Sequence, residues 1–142
     1  MLNQDPVCYG TRGDNPGVFH LKDNLPIKSI KLQHLSGYVK CCPEFPRVYW
    51  GCSNNVNSGS LMTVITNATR TPLFPVTYSQ NNKFWQMEGY TISSNEIVLV
   101  HGSKDYQGYA GEPLHIWFGE DLLDYYDEDN SGEHCVNVYA IY

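Results

Sequence analysis

The chain has 142 residues, with nine Lys and Arg against 15 Asp and Glu, a length that supports one core and one domain. Its net charge of -6 speaks against a nucleic-acid backbone or an anionic membrane as the main partner, because both reward basic side chains. No apolar run is long enough to span a bilayer, and Met1–Gly10 lacks a basic segment followed by an apolar one, so the chain reads as soluble with any secretion signal already absent.

Residues 1–24 are rich in Asp, Asn, Gly and Pro and show no apolar period, which predicts an irregular leader pinned by Cys8. The folded domain is expected over residues 25–142. Ile27–Val39 alternates imperfectly, predicting one or two strands bent at Gly37, with Ile30, Leu32 and His34 on one face. Further strands are predicted at Arg47–Cys52, Leu61–Thr66, Lys83–Tyr90, Glu96–His101, Leu114–Phe118 and Val136–Tyr142, each bounded by turn residues. Asp121–Tyr126 is the one short helix. Seven to eight short strands with little helix predict a mainly β, compact, sandwich-like single domain.

The five cysteines (Cys8, Cys41, Cys42, Cys52, Cys135) match no zinc spacing. Disulfides in an oxidising compartment fit better, and the odd count leaves one thiol either buried or available to a second chain. Asn67-Ala68-Thr69 is an N-glycosylation acceptor triplet that agrees with secretion. Arg12-Gly13-Asp14 is an adhesive tripeptide too short to carry a function by itself. The five histidines form no catalytic spacing and no GxSxG elbow is present, so a non-enzyme is expected.

Charge is distributed unevenly. The 38 residues after Lys104 hold nine acids and no Lys or Arg, whereas the first 104 carry six acids and all nine basic residues. Asp127-Glu128-Asp129-Asn130-Ser131-Gly132 has the spacing of a calcium loop's first half, in which alternate oxygens converge on a hard cation and Gly permits the reversal. The twelfth position, where an EF-hand needs a bidentate Glu, is Val138. The segment is therefore either a plain acidic turn or a calcium loop completed from elsewhere. The second reading takes Glu120, Asp121, Asp124, Asp127, Asp129, Asn130 and Ser131 as metal ligands. Sugar hydroxyls can replace water on such an ion, and Tyr106, Tyr109 and Trp117 are the nearby aromatic residues that could pack on a sugar's C–H face. With Glu120, Asp129 and Asn130 they make the expected sugar site.

Two resemblances bear on this. Glu112–Glu120, EPLHIWFGE, resembles the closing run of PR/SET methyltransferase domains, but the Asn-His cofactor motif is missing. Trp117–Leu122, WFGEDL, together with Asp129–Tyr139, DNSGEHCVNVY, resembles the small secreted calcium-dependent galactose-binding lectins of sea anemones. That second resemblance implies a β-rich homodimer, with the odd cysteine available for an interchain bond, and a Ca2+ ion contacting galactose-containing glycans. The alternative is a calcium-stabilised extracellular structural or adhesion protein that binds no sugar.

Overall fold

Period-two alternation decides which residues of each strand face inward. A computed structural model describes residues 1–75, 78, 84–123 and 127–142, the side chain of Asp127 excepted. In the strand Ser29–Gly37, Ile30 and Leu32 are fully buried while Lys31 and Gln33 are half-exposed. The described residues form ten strands: β1 Val7–Gly10, β2 Gly17–His20, β3 Pro26–Ile27, β4 Ser29–Gly37, β5 Thr63–Asn67, β6 Pro72–Phe74, β7 Glu96–Val100, β8 Tyr106–Gln107, β9 Pro113–Phe118 and β10 Glu133–Ile141. They form two four-stranded antiparallel sheets, ordered β1-β10-β4-β7 and β2-β9-β5-β6, and a small β3-β8 pair. Ile30, Leu32, Ile97, Leu99, Val136 and Val138 from the first sheet share one core with Phe19, Ile65, Leu114, Ile116 and Phe118 from the second. That shared core makes the architecture a sandwich.

Residues 1–24 are not an irregular leader. β1 pairs with β10 and β2 pairs with β9, so one hairpin supplies an edge to each sheet. Val7, Tyr9, Phe19 and Leu21 are buried, and a disulfide joins Cys8 to Cys135, 127 positions along the chain. Four-residue strands carry too few alternations to register among the surrounding turn residues. Two other predicted strands shrink to isolated bridges. Within Arg47–Cys52, Val48 bridges Val39 and Gly51 bridges Leu61; in Lys83–Tyr90, Trp85 bridges Leu61, while Lys83 itself lies outside the described residues. The helix, α1, spans Gly119–Leu123; Asp124–Tyr126 lie outside the described residues. A second disulfide links Cys41 to Cys52, leaving Cys42 as a half-exposed free thiol.

The expected bend coincides with the end of β4 at Gly37, where only glycine fits. Its φ is +77°, and a Cβ there would collide with the Glu133 carbonyl oxygen. Gly132, with φ +101°, approaches the Tyr38 carbonyl in the same way. These two close contacts let β10 turn out of the acidic segment directly alongside β4.

His34 does share the inward face, and it enters a buried polar chain. Its Nδ1 lies 2.8 Å from Nε2 of His134, and Nδ1 of His134 lies 2.8 Å from the Tyr9 hydroxyl. Tyr9 donates to the Tyr49 carbonyl oxygen at 3.2 Å. A carbonyl only accepts, so the protons run one way: His34 donates to His134, and His134 donates to Tyr9. Tyr49 stacks on His34, and Trp50 packs edge-on against His134. Burial first, and the neighbouring His34 second, push the His134 imidazole from 6.5 down to about 3.

Between those two values the unfolded chain binds a proton that the folded chain refuses, so stability falls as pH drops through that window. The full shift corresponds to a loss on the order of 5 kcal/mol. Melting temperatures should therefore decline from pH 6.5 to 4.5 in the natural protein. His134→Gln, which cannot ionise, should start lower and show a flatter decline. An equally steep decline in the variant would assign the acid sensitivity to other groups.

Candidate functional site

The acidic segment begins where β9 runs into α1. Successive helical residues diverge by about 100°, so Glu120 and Asp121 take different neighbours. A carboxylate oxygen of Glu120 lies within 4.8 Å of the sulfurs of Cys41 and Cys52. Asp121 is completely buried and meets the tip of the β1–β2 hairpin: Oδ1 accepts the Asp14 amide at 2.9 Å and Oδ2 the Asn15 amide at 2.8 Å. Asp14 takes φ +55° in that tight tip. A 3₁₀ turn follows at Asp127–Asp129. Asn130, 1% exposed, then donates from Nδ2 to the Thr11 carbonyl at 2.9 Å, while its buried Oδ1 accepts no hydrogen bond from any described residue. The backbone of Ser131 exchanges two hydrogen bonds with Lys40, at 2.7 and 3.0 Å, and Ser131 and Asp129 are both exposed.

Cations from the first part of the chain come to this end. Arg12 donates to the Glu128 carbonyl at 2.9 Å, and Arg70 pairs with Asp14 at 3.0 Å. Both charged members of Arg12-Gly13-Asp14 are thus engaged within the fold. The guanidinium of Arg70 also lies 4.9 Å from the centre of the Trp117 ring.

The expected ligand set divides. Asp121 and Asn130 hold opposite ends of the same loop, Thr11 to Asn15. Asp124 and the side chain of Asp127 lie outside the described residues. Among the described residues, the groups of three or more His, Cys, Asp or Glu side chains within 4.8 Å of one another each contain a disulfide, with Glu120 beside one and Glu133 beside the other.

Trp117 is not a sugar platform. It is 2% exposed, donates to the Thr66 hydroxyl, and packs with Val64 and Tyr78 on the outer face of its sheet, beneath Arg70. Tyr106 is half-buried and donates its hydroxyl to Glu112; burial, then that carboxylate, push its ionisation to higher pH. Tyr109 is exposed, but it lines a cleft of about 200 Å³ with Asn67, Ala68, Thr69, Glu112 and Pro113. Asn67 pairs with Leu114 at the start of β9, whereas Asp121 follows its end. Six residues of strand put about 17 Å between those ends. Tyr106 and Tyr109 therefore belong to a different location from Asp121, Asp129 and Asn130. Thr11, Asn15 and Arg70 carried no sequence signal, because each acts through backbone groups or through partners more than 35 positions away.

Among solved structures, the chain matches AJLec from the sea anemone Anthopleura japonica with a TM-score of 0.86 and 34% identity, over 99% of this chain and 94% of that one. The chain belongs to this family of sea-anemone lectins. No protein-family model matches it, and no curated protein does. The sea-anemone lectin match spans both sheets, the β1–β2 hairpin and the acidic segment.

In this member of the family the Asp121 carboxylate is expected to hold the hairpin tip in place. Asp121→Asn turns an N–H group toward one of the two amides and removes the charge that strengthens both bonds. A loss of roughly 2–4 kcal/mol is expected, read by chemical denaturation. An unchanged midpoint would show that other contacts hold the loop.

Proposed function

We propose that this lectin binds terminal galactose-type sugars through a calcium ion held by the acidic segment. The observation that carries the cation half of this reading is the Oδ1 of Asn130: a neutral oxygen of the kind calcium accepts, buried, with no hydrogen-bond donor among the described residues, and tied to the loop that Asp121 holds. Such an atom ordinarily finds a partner, and a hard cation supplies one. Asp121, Asn130, Asp129 and Ser131 would hold the ion, with Asp124 and Asp127 as further acids of the segment, while Glu120 lies beside the Cys41–Cys52 disulfide. Calcium, when bound, offers its flexible oxygen shell to two vicinal sugar hydroxyls. The chain's own part would be to present these oxygens to one ion. The Thr11–Asn15 loop fixes Asp121 and Asn130, and the Lys40 backbone fixes Ser131.

Calorimetry with galactose should give binding heat that disappears with excess chelator. Asn130→Ala should weaken calcium binding at least tenfold, about 1.4 kcal/mol. Heat that survives the chelator would sink the calcium mechanism. A chelator-induced fall in melting temperature without any sugar binding would instead support the calcium-stabilised structural protein.

We also propose a secreted homodimer. Two intramolecular disulfides fit an oxidising compartment, and Cys42 is the thiol left for an interchain bond. A non-reducing gel should show a dimer band that Cys42→Ser abolishes. A monomer-only band would remove that bond from the reading.

A further inference from the structure

The cleft at the start of β9 needs an occupant of its own, since β9 separates it from the acidic segment. Two independent features meet there. The first is the acceptor triplet Asn67-Ala68-Thr69, which forms the turn between β5 and β6 and lines the cleft. Within that turn the Asn67 side chain is already oriented. Its Oδ1 accepts the Thr69 amide at 3.0 Å, the Thr69 hydroxyl at 2.8 Å and the Thr71 amide at 2.9 Å. No described residue accepts a hydrogen bond from Nδ2, the atom through which an N-linked sugar is attached, and Ala68, Thr69 and Arg70 around it are exposed. The second feature is Tyr109, 59% exposed, on the facing wall. Its neighbours pin the loop rather than the ring: Glu112 accepts the Tyr109 amide, and Asn24 accepts the Ala110 amide. An exposed aromatic ring held on a fixed loop suits the C–H face of a sugar.

We infer that Asn67 carries an N-linked glycan whose first sugar lies in this cleft against Tyr109. The attachment uses a lipid-linked oligosaccharide pyrophosphate as donor. Nδ2 of Asn67 forms a bond to C1 of the first sugar, the bond from C1 to the pyrophosphate oxygen breaks, Nδ2 loses one proton, and the lipid pyrophosphate leaves with the electron pair. The turn survives the modification, because all three of its hydrogen bonds use Oδ1 and none uses Nδ2. Tyr109 then covers the protein's own glycan, which is independent of the calcium reading.

The test uses the full chain secreted from eukaryotic cells. Its intact mass should exceed that of the polypeptide by hexose and hexosamine increments, and peptide N-glycosidase should remove them. Thr69→Ser, which keeps the triplet, should retain the increments; Thr69→Ala should lose them. Asn67→Asp should also lose them while keeping the Oδ1 acceptor, and an unchanged melting temperature in that variant shows that the turn is intact. Nitration of Tyr109, followed by peptide mapping, should be several-fold faster in Asn67→Asp than in the glycosylated protein. An unmodified Asn67 in the secreted chain overturns the inference. A glycan that leaves Tyr109 nitration unchanged overturns its placement in the cleft.

Discussion

The buried carboxylate of Asp121, bonded to two consecutive backbone amides at the tip of the first hairpin, ties together the parts of this protein that lie furthest apart in sequence. An ionised carboxyl in an apolar interior loses several kcal/mol of hydration, and charge-assisted bonds to fixed N–H groups offset that loss only where the donors are held in place. The donors are held here because the hairpin is anchored on both sheets, with β1 on β10 and β2 on β9. The Asn130–Thr11 bond and the Cys8–Cys135 disulfide fasten the same hairpin from the other side. Each fastening lowers the entropy that the others must overcome, so they are expected to fail together rather than singly.

The same contacts explain how nine acids and no Lys or Arg can occupy the last 38 residues. Two of these acids, Asp121 and Glu112, are buried against backbone amides, which carry partial positive charge without being basic residues. Arg12 and Arg70 approach from earlier in the chain, one bonding a carbonyl of the segment and the other pairing with Asp14 beside it. Asp129 and Glu133 stay exposed, where water screens them. The charge asymmetry along the sequence is therefore much reduced in space.

How much of this was legible in the sequence follows from what each residue acts through. β4 was legible because one of its faces is buried and the other is wet, so Ile30, Leu32 and His34 alternate with Lys31 and Gln33. β5 shows the opposite case: Thr63, Val64, Ile65 and Thr66 are all fully buried, and period two disappears. The covering of its outer face by Tyr78 and Trp85 also removed Trp117 from the list of exposed rings. Asp121 was legible as an acid near the site but not as an anchor, since its partners are main-chain groups that any residue could supply. Arg70 was invisible for a related reason: its two partners, Asp14 and Trp117, lie 56 residues before it and 47 after it.

Strand β9 organises what remains. At its start stand the 67–71 turn, Glu112 and the cleft; at its end stand α1 and the loop that Asp121 holds. Arg70 belongs to the turn at the first end, yet its guanidinium passes over Trp117 to reach Asp14 at the second. The contact joins two ends that are built alike. At the turn, one Asn67 oxygen gathers three donors beside the turn's own backbone bonds; at the tip, one carboxylate gathers two amides beside the Asn130–Thr11 bond. In both places a short polar side chain satisfies main-chain groups that a tight reversal leaves without a strand partner. Arg70 therefore links two preorganised loops across β9, and its pairing with Asp14 costs little further ordering because the backbone at each end is already held.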